Sequence, residues 1–100
     1  MRNQDLDDAL IRRRGEMIEA EKEGELIALD VERGTCYGFN RTATRIWQLL
    51  DEPRTLAALR DLLVEEYDVE PQACERDLIE AIEQMCSDGI LETTAPLRPA

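Results

Sequence analysis

The apolar residues of this chain change their period once, at Asn40, and that switch restricts what the chain can fold into. Ahead of it they fall in short runs bounded by turn residues. Met17 to Glu21 puts Ile18 and Ala20 on one side, Lys22-Glu23-Gly24 supplies a turn, and Glu25 to Asp30 forms a second run. A third run, Thr35 to Phe39, follows Val31-Glu32-Arg33-Gly34, where Gly34 can take the positive φ that a hairpin loop needs. After Asn40 the spacing is helical: Ala43, Ile46, Trp47 and Leu50 fall at i, i+3, i+4 and i+7, with Asn40 or Thr42 as the cap and Pro53 beyond the end. A second helix opens at Thr55 and carries Leu56, Leu59, Leu63 and Tyr67 on one stripe. The third opens near Pro71, places Cys74, Leu78, Ala81, Ile82 and Met85 on one face, and stops at Gly89. The predicted fold class is therefore α+β and winged helix-turn-helix-like, a three-stranded antiparallel sheet followed by three helices.

The folded domain is expected over residues 17–94, with a flexible N-terminal tail over 1–16 and a C-terminal tail over 95–100. Arg12-Arg13-Arg14 lies close to Asp5, Asp7 and Asp8, so this basic run reads as part of a solvated tail. Ile90 to Thr93 is a short extended piece, and Pro96 and Pro99 end regular structure.

Charge narrows the function. Of 100 residues, 12 are Lys or Arg, 23 are Asp or Glu and none is His, for a net charge of −11. Wrapping DNA or an anionic membrane calls for a cationic surface, so neither is an expected partner. The missing histidine removes the commonest general base and zinc ligand, and the isolated glycines form no phosphate loop. Glu65-Glu66, Asp68 and Glu70 read as a solvated helix end rather than a catalytic pair. No enzyme activity, metal or cofactor is expected. No apolar stretch reaches the roughly 20 residues of a membrane span, which places the chain in the cytoplasm. Cys36, Cys74 and Cys86 contain no CxxC pair, and on one helix Cys74 and Cys86 lie about 18 Å apart, so all three read as free thiols. Trp47 sits within a core stripe and reads as packing.

A winged helix most often reads DNA, but residues 55–70 and 71–88 each carry five acids against a single Arg, Arg60 and Arg76 respectively. A recognition helix needs Arg or Lys. Attention shifts to the sheet, where Thr35-Cys36-Tyr37-Gly38-Phe39 is the last strand of a meander and holds neither Pro nor charge, leaving it poorly protected against pairing. Two occupants compete for its edge: a foreign peptide added as a fourth strand, or the chain's own Leu91 to Thr94.

The stretch Glu25 to Asp30, then Gly34, Tyr37, Phe39-Asn40, Thr42-Ala43, Ile46-Trp47, Leu50, Arg54-Thr55, Asp77-Leu78, Ile82, Met85 and Gly89-Ile90-Leu91 resembles the PqqD-like proteins. These are precursor-peptide recognition elements of ribosomally synthesised, post-translationally modified peptides. The resemblance covers about residues 17–93, and its most specific pieces are GFNRTATRIWQLLD and DLIEAIEQMCSDGIL. It implies a non-catalytic domain that captures the leader of a precursor peptide beside its third strand and against its third helix. Asp30, Gly34, Tyr37 and Ile46-Trp47 bring it nearest to the stand-alone recognition proteins of lasso-peptide pathways, which work with a leader peptidase and a cyclase.

Carried over by position, the leader-binding residues are Thr35, Cys36, Tyr37, Gly38 and Phe39 of the third strand, with Asp77, Glu80, Ala81 and Gln84 on one flank of the third helix. Ile79 and Cys86 on the other flank are the alternative. Two other readings remain: a peptide chaperone for a radical-SAM enzyme, and an acidic winged-helix regulator. The acidic third helix further predicts Lys or Arg in the leader where it passes.

Overall fold

The computed structural model describes residues 7–95 and 97. Its strands are β1 (Leu10–Arg13), β2 (Ile18–Lys22), β3 (Glu25–Asp30), β4 (Thr35–Phe39), β5 (Arg54–Thr55) and β6 (Leu91–Thr93), and its helices are α1 (Arg41–Leu49), α2 (Leu56–Tyr67) and α3 (Pro71–Ser87). They form two three-stranded antiparallel sheets, β2-β3-β4 and β5-β1-β6. The meander and the three helices agree with the sequence expectation, and the bounds of β3 and β4 are those the alternation predicts.

The caps explain why the helices start where they do. Asn40 Oδ1 accepts from Ala43 N at 2.8 Å, and Thr55 Oγ1 accepts from Ala58 N at 3.1 Å. Pro71 takes the first position of α3, while the Glu70 carboxylate accepts from the amides of Gln72 and Ala73. Gly89 ends this stretch at φ +82°, and a Cβ there would stand 2.6 Å from Arg33 Nη1. The left-handed backbone is what demands glycine, since the far end of the flexible Arg33 side chain could swing aside.

The second sheet corrects the sequence reading of the N-terminus. Residues 10–13, expected within a flexible tail, form β1, and Ile11 at its centre has no exposed surface. One buried side chain among charged neighbours gives almost no hydrophobic signal. Of the basic run, Arg13 is drawn in, its guanidinium 4.3 Å from the Trp47 ring centroid while donating to Trp47 O; Arg12 pairs with Glu92 but stays exposed, as does Arg14. At the other end Leu97, expected in a tail, is 5% exposed and joins the core. The expectations for residues 1–6, Pro96 and 98–100 lie outside the described residues.

The core lies between the β2-β3-β4 sheet and the helices, with Leu26, Ala28 and Phe39 from the sheet, Ile46 and Trp47 from α1, and Leu59, Leu63, Leu78, Ile82 and Met85 from α2 and α3. Phe39 meets Trp47 edge to face at 5.8 Å. Tyr67, expected on the α2 stripe, is instead 53% exposed, standing at the last residue of α2. Arg60 is buried between Asp7, Asp61 and Glu75, each at 3.0–3.1 Å. Burial works against its charge, yet the three carboxylates hold its pKa above the ordinary value and tie the N-terminal segment to α2 and α3.

Candidate peptide-binding groove

The hydrogen-bonding direction of every residue in the β2-β3-β4 sheet follows from one turn. Glu23 (φ +55°) and Gly24 (φ +82°) form a two-residue hairpin loop between the partners Lys22 and Glu25. Partners flanking such a loop exchange hydrogen bonds, and the pattern alternates from there. Glu25, Ile27 and Leu29 thus bond toward β2, while Leu26, Ala28 and Asp30 bond toward β4, opposite Phe39, Tyr37 and Thr35. Leu26 N bears this out, since it donates away from β2, to Thr44 Oγ1 at 2.9 Å, and that hydroxyl in turn donates to Phe39 O at 3.4 Å.

Two residues of β4 remain. The N–H and C=O groups of Cys36 and Gly38 point away from β3, to the side where no strand of the described residues pairs. β6 pairs with β1, Ile11 against Thr93 and Arg13 against Leu91, so the chain's own Leu91–Thr93 does not occupy the β4 edge.

Side chains alternate as the pleat requires. Tyr37 and Phe39 face the helices, and Cys36 and Gly38 face outward. Between β4 and α3 runs a groove of about 670 Å³. It contains eight of the nine residues assigned to leader binding: Cys36, Tyr37, Gly38 and Phe39 on one side, and Asp77, Glu80, Ala81 and Gln84 on the other. Thr35 is set apart at the hairpin end, where its hydroxyl donates to Arg33 O at 3.4 Å. Of the alternative flank, Ile79 packs against the core. Cys86 borders a separate hollow of about 940 Å³, formed largely by the β1–β2 link and the β3–β4 turn.

Sequence reasoning missed Asn40, Thr42 and Ala43 at the start of α1 and Met85, Asp88 and Ile90 at the end of α3, all of which line the same groove. The helical stripes signalled Ala43 and Met85 only as core residues, and Asn40 and Thr42 only as caps. Asp88 fixes the groove's width: its carbonyl accepts from Tyr37 Oη at 3.1 Å and from Arg33 Nη1 at 3.4 Å, pinning the C-terminus of α3 to β4 and its turn. Phe39, assigned to leader binding, is 7% exposed and forms the floor while belonging to the core.

The wall along α3 is acidic. Asp77 and Glu80 are exposed, Asp77 has Arg76 only at 3.9 Å, and Gln84 Nε2 donates to Asp88 Oδ1 at 3.3 Å. Among the described residues no three His, Cys, Asp or Glu side chains gather as a metal ion would require, and no helix is long and apolar enough to cross a membrane. What the groove offers is an open strand edge, an apolar floor and a negative rim.

The sequence profile described as "Coenzyme PQQ synthesis protein D (PqqD)" matches residues 25–91, from β3 through the first residue of β6 and so across the whole groove. The chain belongs to the PqqD family. PqqD-family proteins are non-catalytic, peptide-binding recognition elements. Among solved structures the chain is similar to "TbiB1 in Complex with the TbiA(beta) Leader Peptide", at 27% identity and a TM-score of 0.71 over 81% of this chain and 94% of that one. It is similar also to "Lasso peptide synthetase B1 complexed with the leader peptide", at 28% identity and a TM-score of 0.66 over 82% of this chain and 96% of that one. The PqqD truncation of Methylobacterium extorquens PqqCD, a stand-alone recognition element, shares the fold at 19% identity and a TM-score of 0.67, covering 83% of this chain and 88% of that one. No curated protein matches the chain.

Proposed function

We propose that this PqqD-family chain is a leader-peptide-binding adaptor of lasso-peptide biosynthesis, capturing its precursor peptide as a strand added to β4. The observation that carries the reading is the β4 edge, which no strand of the described residues pairs: Cys36 and Gly38 offer two donors and two acceptors, and β6 is engaged elsewhere. Main-chain pairing supplies affinity in such strand additions, and pockets for alternate side chains supply selectivity. Tyr37, Phe39, Ala81 and Met85 give the groove its apolar floor.

The lasso assignment is supported by the two leader-bound relatives at 27% and 28% identity. In that pathway the captured leader is handed to a separate leader peptidase, and the core segment to a cyclase. The family's description, a coenzyme synthesis protein, favours a second reading in which the same groove serves a radical-SAM peptide-modifying enzyme. The genes beside this one separate the two, since the first calls for a peptidase and a cyclase.

The direct experiment is a fluorescence-polarisation titration with the labelled leader of the precursor encoded beside this gene. Saturable binding that weakens on Gly38→Pro is expected. No binding at tens of micromolar would sink the proposal.

A further inference from the structure

Gly38 is a glycine that the fold itself does not require. Its φ lies outside the left-handed region, and a Cβ built on it meets nothing within 4 Å. Glycine inside a strand weakens the strand, and it often marks a place where a ligand or another backbone comes close. Here it stands at an outward-facing position of the open edge, directly opposite Ile27.

The outward face of the sheet shows what glycine leaves bare. One row runs Ile18–Leu29–Cys36 and the next Ala20–Ile27–Gly38. Leu29, with Cys36 opposite, is 38% exposed, whereas Ile27, between alanine and glycine, is 54% exposed. An added strand would extend both rows, because laterally adjacent residues of a sheet point to the same face. Neighbouring strands lie about 4.8 Å apart, so the residue opposite Gly38 is about 10 Å from Ile27. A short aliphatic side chain does not bridge that interval. A flat aromatic one, lying sideways across the glycine, does, as in aromatic rescue of glycines on sheet edges.

We propose that the peptide captured on β4 carries Trp, Tyr or Phe opposite Gly38, its ring lying over the glycine and against Ile27. The inference rests on strand addition at β4 and adds to it a residue requirement on the face away from the groove. Gly38 and Ile27 together act as a specificity-determining notch.

Random peptides provide the test. An mRNA-display library of random 16-residue peptides is selected on the immobilised full chain, and the enriched peptides are re-measured on Gly38→Pro, Ile27→Ala and Gly38→Val. Circular dichroism melts confirm that each variant is folded; Ile27→Ala alters an exposed side chain and leaves the core intact. Peptides lost on Gly38→Pro are edge binders, and these should share an aromatic residue at one fixed position. Replacing that residue by Ala should weaken binding to the native chain at least tenfold. In a double-mutant cycle it should couple to Ile27→Ala by threefold or more, and the coupling should vanish in the Gly38→Val background, where a side chain stands between the two. Edge binders without the aromatic, or with an aromatic uncoupled from Ile27, overturn the notch while leaving strand addition in place. If no enriched peptide is sensitive to Gly38→Pro, strand addition falls and the notch with it.

Discussion

The two edges of the β2-β3-β4 sheet are built from strands of equal length and differ in almost everything else. On β2 the outward-directed backbone groups belong to Glu19 and Glu21, whose carboxylates accept from Trp47 Nε1 at 3.0 Å and Gln48 Nε2 at 3.1 Å. Lys22 completes an edge where charges alternate with Ile18 and Ala20. Charge of that kind is how natural sheets discourage pairing. On β4 the corresponding groups belong to Cys36 and Gly38, neither charged, beside an apolar-floored groove. One sheet therefore has a blocked edge and an open one, and only the open one faces α3.

Matched prolines give the largest expected contrast. Gly38→Pro deletes a donor aimed outward from the open edge of β4, and Glu21→Pro deletes one aimed outward from the blocked edge of β2; neither removes a rung of the sheet itself. The first leaves a leader carbonyl unpaired, a cost of about 1–3 kcal/mol, or roughly 5- to 150-fold in affinity. The second should leave leader affinity unchanged. Polarisation titrations of both variants check the pair, and equal losses would erase the distinction between the edges.

That contrast also shows where the sequence was informative. β3, β4 and the helices were legible because alternation, helical stripes and the caps Asn40, Thr55 and Pro71 act over a few residues. The second sheet was not, because β1, β5 and β6 have four, two and three residues and unite parts of the chain some 40 to 80 positions apart. Whether the β4 edge is open depends on that sheet, since β6 was its rival occupant. The α3 flank was legible for the same reason as the stripe it borders: Asp77, Glu80, Ala81 and Gln84 follow its spacing. Asp88, which sets the groove's width, lies beyond the last helical turn, and its role depends on Tyr37, 51 positions away.

Anchoring is the next contrast in size. Tyr37→Phe removes the Tyr37–Asp88 hydrogen bond that holds α3 to β4 and should lower stability by about 0.5–1.5 kcal/mol in urea unfolding. Glu21→Ala removes only an exposed contact from β2 to Gln48 and should stay within about 0.5 kcal/mol. Comparable losses would mean that the groove is no better anchored than the blocked edge.

The acids of the two sides should separate kinetically. Glu80→Gln, on the α3 wall, is expected to slow association of a basic leader about two- to threefold at low ionic strength, an effect that fades at high salt; Glu21→Gln, on the far edge, should change nothing. Stopped-flow rates at two salt concentrations decide it. A leader without Lys or Arg near α3 removes the basis for the effect.

The smallest effect is a footprint on the cysteines. Cys36 is exposed on β4, whereas burial first, then neighbouring carboxylates, pushes the thiols of Cys74 and Cys86 up from their ordinary value. A raised pKa keeps these two protonated at neutral pH, and the thiolate is the reactive form, so their alkylation should be slow and should accelerate as pH rises through that higher value. Bound leader, lying along the backbone of Cys36, should slow alkylation of Cys36 about twofold by partial cover. Cys74 and Cys86, which lie outside the groove lining, should not respond. Mass-spectrometric time courses with and without leader measure all three thiols in one sample. Protection of Cys86 rather than Cys36 would move the peptide to the hollow beside the β3–β4 turn and away from the β4 edge.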